Sequence, residues 1–89
     1  MAVLVKIRNR GMSLAMYDEM GVPLIAAIKQ QAGFQLHLCY GDGDGLVVNE
    51  VWDTADQQQA WFDAYIRPNI PLDADPEFEV IELHNVAMK

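Results

Sequence analysis

His37 is the residue of this chain best suited to acid–base chemistry, because an imidazole exchanges protons near neutral pH. We predict that His37 is a catalytic base, that Glu50 orients its ring, and that Trp52 forms a stacking wall for a planar substrate. Glu50 is also a polar partner of that substrate, together with His84, near the end of the last predicted strand. The alternative for either histidine is a hydrogen-bonded structural role.

These residues share one phase of a two-residue alternation that runs through four predicted strands. Side chains of a strand point alternately to the two faces of a sheet. One phase is rich in ionisable and aromatic residues: Lys6, Arg8, His37, Cys39, Glu50, Trp52, Glu82 and His84. The other phase is almost entirely aliphatic: Val3, Val5, Ile7, Leu36, Leu38, Tyr40, Val47, Val51, Ile81 and Leu83. The alternation predicts a sheet with one dry face and one face that lines a pocket.

Four strands and two helical regions are predicted. The strands cover residues 2–8, 34–40, 46–53 and 78–86, and residues 68–77 form an extended loop. Ser13 caps the first helix, which is broken or kinked near Gly21, and a second helical piece begins at Pro23. Thr54 and Gln57 form a capping box at the start of the last helix.

The order β-α-β-β-α-β predicts an α+β, ferredoxin-like fold over a single domain of residues 1–89, with two helices on one face of a four-stranded antiparallel sheet. A domain this small buries only roughly 60–65% of the surface that its unfolded chain exposes. We therefore expect a homodimer, in which two open sheet faces pack about 10 Å apart as a dimeric α+β barrel. A monomer with an open sheet is the alternative.

The glycine-rich stretch at residues 41–45 sets the face that each residue of the third strand occupies. A five-residue loop would turn that strand over, whereas an even loop or a bulge keeps Glu50 and Trp52 on the side of His37. We favour the even loop, because it separates aliphatic from charged residues.

The charge of the chain argues against several classes of partner. The net charge is −7, with only six Lys and Arg residues. Binding to a phosphate backbone draws on clustered basic residues, so we expect neither nucleic acid nor an anionic membrane as a partner. The lone Cys39 fits a reducing compartment, and we expect a cytoplasmic protein.

No metal or cofactor is predicted. His37 and His84 fall on strands that form opposite edges of this fold, roughly 14 Å apart, so no ion bridges them within one subunit. The aspartates of the glycine-rich stretch start no EF-hand loop, because Val47 stands where that loop needs glycine. Cys39 is interpreted as a buried, inert thiol.

Two runs of sequence are more specific than the fold pattern. Residues 33–37 are Gly-Phe-Gln-Leu-His, and residues 47–54 are Val-Val-Asn-Glu-Val-Trp-Asp-Thr, leading directly into an aromatic helix. With the glycine-rich turn between them, these runs resemble small dimeric α+β barrel proteins related to the antibiotic-biosynthesis monooxygenases. The resemblance covers nearly the whole chain.

The resemblance implies a homodimer with a pocket between the sheet and helices of each subunit. Trp52 matches a tryptophan that lines this pocket, and His37 matches a second-strand histidine of some members. Where these oxidases place an asparagine ahead of the tryptophan, this chain has Val48, with Asn49 on the opposite phase.

Two interpretations of function follow. The first is a small-molecule-binding protein that acts as a cofactor-independent monooxygenase or isomerase on an aromatic or planar compound. The alternative is a non-catalytic homodimer that binds a metabolite or has a structural role. A haem-degrading protein of this kind is expected to carry a histidine on its second helix. Residues 54–67 contain none, so the resemblance does not imply haem degradation.

Overall fold

The fold is a four-stranded antiparallel sheet covered on one face by helices. The computed structural model describes residues 1–71 and 75–89. The elements in chain order are β1 (Val3–Asn9), α1 (Leu14–Ile28), β2 (Phe34–Asp42), β3 (Gly45–Trp52), α2 (Ala55–Trp61) and β4 (Glu77–Glu82). The strand order across the sheet is β2-β3-β1-β4, which confirms the predicted ferredoxin-like fold. Of the loop predicted over residues 68–77, residues 72–74 lie outside the described residues.

Branched residues of the central strand β1 form the floor of the core beneath the helices. Val3, Val5 and Ile7 are buried in the same cluster as Phe62, which follows α2. Val5 pairs with Glu50 in the sheet register and therefore shares its face. The prediction that these aliphatic residues lie opposite the pocket side is wrong, because the helices need an apolar sheet face to cover.

Lys6 and Arg8 lie on the open face of the sheet. Lys6 pairs with Glu79 in the register, and Arg8 Nη1 lies 2.8 Å from a carboxylate oxygen of Asp42. The prediction that the two basic residues share a face with His37 is therefore wrong. On the open face each of them has an acidic neighbour, which lowers the cost of placing a positive charge there.

Helix α1 is continuous through Pro23, so the predicted break near Gly21 is wrong. The alternative, a kink at that point, stays a prediction. Met20 and Leu24 pack against the core on either side of this stretch, and Ile28 is buried at its end. Their spacing keeps one apolar stripe facing the sheet. We attribute the continuity of the helix to this packing, which holds it together where proline cannot donate a backbone hydrogen bond.

The predicted capping residues are in place. The Ser13 hydroxyl accepts a backbone N–H of the first turn of α1, and Thr54 with Gln57 forms the complete capping box of α2. After α2 the chain continues through a π-helical turn, Phe62–Ile66, and a 3-10 turn, Arg67–Asn69. Helical structure therefore continues past Pro68.

A two-residue turn joins β2 to β3. Its first residue, Gly43, has a φ of 59°, which glycine adopts without steric cost. The turn is even, and His37 pairs directly with Glu50. The favoured register is therefore confirmed.

A β-bulge near the start of β2 changes the phase of that strand. Phe34 pairs with Trp52, whereas Leu36 pairs with Val51, which leaves Gln35 as the extra residue. Phe34 consequently packs against the core. Leu36 points to the open face, and His37 returns to the face beneath the helices.

Candidate functional site

A chain of four hydrogen-bonded side chains lies between the sheet and α1. The Tyr17 hydroxyl is 2.7 Å from His37 Nε2, and His37 Nδ1 is 2.8 Å from Glu50 Oε2. The other carboxylate oxygen of Glu50 accepts the indole N–H of Trp52 at 3.0 Å. Both oxygens of the carboxylate therefore have a donor.

The fold brings these residues together through three separate elements. His37 and Glu50 are direct partners across the β2–β3 ladder, and Trp52 follows Glu50 by two residues, on the same face. Tyr17 reaches them from the first turns of α1, with its ring plane within 10° of the imidazole plane. The site is thus a hairpin with one helix residue placed over it.

The hydrogen bonds determine which nitrogen of His37 carries the proton. A carboxylate only accepts hydrogen bonds, so His37 Nδ1 donates to Glu50. In the neutral ring Nε2 is then an acceptor, and Tyr17 donates its O–H to it. Burial, together with nearby acidic groups such as Cys39 and Glu50, raises the pKa of Tyr17 above its ordinary value of 10.0. The raised pKa keeps the phenol protonated and able to donate.

Next to these hydrogen-bonded side chains lies a cavity of about 90 Å³. Its walls are mainly apolar and come from the sheet, from α1 and from the segment that follows α2; representative residues are Ile7, Val48, Met20, Leu24, Ile28, Phe62 and Ile66. The polar side chains among the described lining residues are Asn9, Tyr17, His37 and Glu50. A mostly apolar cavity with a few convergent polar groups is typical of small-molecule sites.

Glu50 is an unusual residue for such a position, because its side chain is only 4% exposed. Carboxylates are rarely buried this deeply unless they are paired and hydrogen-bonded. Here His37 and Trp52 supply both partners. The contact that the predicted orienting role of Glu50 requires is present, and the role itself stays a prediction.

Trp52 does not form the predicted stacking wall. Its side chain is fully buried, packs edge to face on Phe34, and does not line the cavity. Its indole N–H instead fixes the Glu50 carboxylate. Sequence reasoning placed Trp52 on the correct face, but it could not show that Phe34 and the helices cover the ring.

His84 lies apart from the other predicted site residues. It is exposed, follows the end of β4, and does not line the cavity. Strands β2 and β4 are the two edges of the sheet, so the width of the sheet separates His84 from His37. The structure therefore does not bring His84 to the site within one chain.

Cys39 lies two residues after His37 on the same face of β2. Burial raises the pKa of its thiol above 9.0, with a smaller effect from the negative charge of Asp18. A raised pKa lowers the fraction of thiolate, so it disfavours nucleophilic chemistry. Cys39 is only half-buried, so the predicted burial of the thiol is wrong, and its inert character stays a prediction.

Tyr17 is the site residue that sequence reasoning did not assign to the chemistry. Its spacing with Leu14 and Met20 indicates a helix face, and an aromatic residue there is more often part of a core. The available signal was a hydroxyl on the stripe that faces the histidine strand. Val48 lines the cavity, whereas Asn49 points to the open face, so this chain offers no asparagine side chain there from β3.

Two further properties concern the described part of the chain. In residues 1–71 and 75–89, no group of three His, Cys, Asp or Glu side chains is arranged to hold a metal ion. Within the same ranges, the helices are too short or too polar to cross a membrane.

Comparison with known proteins finds similar folds among solved structures. No family model matches the chain, and no curated protein matches its sequence. A single-site variant of SnoaB, a cofactor-independent oxygenase from Streptomyces nogalater, aligns with a TM-score of 0.63 at 14% identity over 99% of this chain and 97% of that chain.

Two other crystal structures are similar. A conserved protein from Methanosarcina mazei has a TM-score of 0.68 and 16% identity over 89% of each chain. A candidate antibiotic-biosynthesis monooxygenase from Deinococcus radiodurans has a TM-score of 0.60 and 17% identity over 100% of this chain and 98% of that chain. At these identities the likeness concerns the fold, and it confirms the resemblance to antibiotic-biosynthesis monooxygenase-like proteins at that level.

Proposed function

We propose that this protein binds a small planar hydroxylated compound in the cavity and removes a proton from it with His37. The observation that carries this proposal is the Tyr17–His37–Glu50 chain at the polar end of an apolar cavity. The Glu50 carboxylate holds the imidazole in the tautomer whose Nε2 accepts a proton, and it stabilises the imidazolium that results.

The reaction that we assign to this site is oxygenation without a cofactor, as the name of SnoaB describes for that protein. His37 takes the hydroxyl proton, and the resulting phenolate transfers electrons to dioxygen and forms a hydroperoxide at a ring carbon. His37 returns the proton to the peroxide. Loss of water, with cleavage of the O–O bond and of the ring C–H bond, leaves a quinone. One phenol and one dioxygen thus give one quinone and one water.

Isomerisation is a second candidate, favoured by one observation. Tyr17 donates a proton to the nitrogen that His37 would use as a base, so an acid and a base lie 2.7 Å apart. A pair of this kind can remove a proton from one atom of a substrate and supply one to another. Such a reaction changes the substrate without consuming oxygen.

Oxygen uptake with a panel of hydroxylated aromatic compounds of one to four rings tests the catalytic proposal. We expect the wild type to consume oxygen with at least one compound. His37→Ala should lower that rate roughly 100- to 10,000-fold, the range for loss of a general base. His84→Ala is the matched control, since it removes the other histidine, which lies outside the cavity.

Two results would remove the oxygenase assignment: no oxygen uptake across the panel, or uptake unchanged by His37→Ala. Product analysis by mass spectrometry completes the test. A product isomeric with its substrate, formed without oxygen, would favour the second reaction. If no compound of the panel gives a product or oxygen uptake, a non-catalytic binding role is favoured.

We also propose that the protein is a cytoplasmic homodimer built through the open face of the sheet. This face carries partly exposed apolar side chains, among them Leu36, Leu38, Tyr40 and Ile81. A contiguous apolar surface of this kind is characteristic of protein interfaces. The single thiol of the chain supports the reducing compartment.

Sedimentation velocity at micromolar concentration tests the dimer. We expect twice the 10.0 kDa mass of the chain for the wild type. Leu38→Glu places a charge on the open face and should shift the protein to monomer, whereas Val22→Glu, on the exposed side of α1, should not. A wild-type monomer at all concentrations contradicts the proposed assembly.

A further inference from the structure

The phenol of Tyr17 already occupies the nitrogen that a substrate needs. Its hydroxyl lies 2.7 Å from His37 Nε2, within the normal range of a strong hydrogen bond. The two ring planes differ by only 10°, so a planar ring lies nearly parallel to the imidazole. The protein therefore holds its own hydroxylated aromatic group on the proposed base.

The cavity is small for an aromatic ring unless a lining side chain moves. The cavity measures about 90 Å³. An engineered apolar cavity that binds benzene is larger, at about 150 Å³. Tyr17 is the lining residue on α1 that bonds to His37, and it is only partly buried, so it is the side chain that we expect to move. Turning its ring away from His37 would free about the volume of one phenol ring.

The lining also restricts the charge of the ligand. The described part of the chain contributes no Lys or Arg side chain to the cavity, and the Glu50 carboxylate lies at its polar end. An anionic group on the ligand would be desolvated without a cationic partner and would face a like charge. A neutral ligand avoids both costs.

We infer that the cavity takes a neutral, single-ring phenol, whose hydroxyl replaces that of Tyr17 on His37 Nε2. Tyr17 is then a gate that sets both the size of the ligand and its affinity. This inference deepens the proposed function and depends on the same site, but it concerns binding alone.

Titration calorimetry with four probes tests it on the full chain. We expect phenol to bind, toluene to bind at least roughly tenfold more weakly because it cannot satisfy the buried nitrogen, and benzoate to bind more weakly still. 1-Naphthol should bind more weakly than phenol, because one displaced ring does not make room for two.

The variant Tyr17→Phe gives the sharper result. Removing the competing hydroxyl should raise the affinity for phenol several-fold, while Tyr40→Phe, which alters a tyrosine on the open face, should leave it unchanged. If Tyr17 instead holds the ligand by a hydrogen bond, Tyr17→Phe lowers the affinity for phenol, which contradicts the inference that Tyr17 is a gate. Unchanged affinity overturns it as well.

The binding result and the catalytic result are separable. Phenol binding with the expected Tyr17→Phe gain, but no oxygen uptake by any compound, leaves the ligand inference standing and removes the oxygenase. Oxygen uptake with three- or four-ring compounds, together with no binding of phenol, removes the ligand inference and keeps the oxygenase. The probe series on the wild type gives a decision even where a variant folds poorly, because equal binding of phenol and toluene contradicts the inference.

Discussion

Trp52→Ala is expected to lower the free energy of unfolding by about 3–5 kcal/mol, the range for deleting a large buried aromatic side chain. Trp52 is fully buried, and its ring packs edge to face on Phe34 with the centroids 5.4 Å apart. The substitution also removes the indole N–H from the buried Glu50 carboxylate. Urea unfolding followed by circular dichroism measures the change without relying on tryptophan fluorescence.

A conservative replacement separates packing from hydrogen bonding. Trp52→Phe keeps an aromatic ring but leaves one carboxylate oxygen of Glu50 without its donor, so we expect a loss of about 1–3 kcal/mol. Val22→Ala, on the exposed side of α1, is the control and should change little. A loss below about 1 kcal/mol for Trp52→Ala would show that the ring is not an essential part of the core.

Glu50→Gln is expected to preserve the fold and to reduce the proposed reaction roughly 100- to 10,000-fold. The new amide has one accepting oxygen and one donating nitrogen, whereas the carboxylate accepts from both His37 and Trp52. Trp52 can only donate, so it retains the oxygen. The amide nitrogen then faces His37 Nδ1, which must become an acceptor, and the proton of the neutral ring moves to Nε2.

That change of tautomer gives a readout independent of activity. In the wild type the proton of the neutral ring lies on Nδ1 and Tyr17 donates to Nε2; in Glu50→Gln the ring carries its proton on Nε2, where it blocks the base. Nitrogen-15 chemical shifts of the imidazole distinguish the two forms. Glu79→Gln, on the open face, should leave both the shifts and the rate unchanged. Wild-type shifts in Glu50→Gln would contradict the assigned hydrogen-bond chain.

The sequence predicts most of this fold because its local signals agree with one another. The capping residues, the glycine-rich turn and the alternation in β2 and β3 place His37, Glu50 and Trp52 on one face, as observed. The bulge at Gln35 has no comparable sequence signal, although it decides that Phe34 covers Trp52.

The face that the alternation predicts for β1 is wrong for a physical reason. Grouping residues by chemical type put Lys6 and Arg8 with His37, but the helices must cover the aliphatic side of the central strand. The site is therefore a small group of polar residues on the otherwise apolar face of the sheet that the helices cover. Whether α1 runs through Pro23 depends on packing against the sheet, which local propensity does not record.

The β2–β3 hairpin alone carries the contact between His37 and Glu50, which are 13 residues apart in sequence, whereas the bond to Tyr17 spans 20 residues and needs α1 in place. Short-range pairing closes a smaller loop and assembles more readily during folding. We therefore expect the imidazole–carboxylate pair to form with the hairpin, before the tyrosine arrives. In this order of assembly, the base is open until α1 packs onto the sheet and is covered only in the finished molecule.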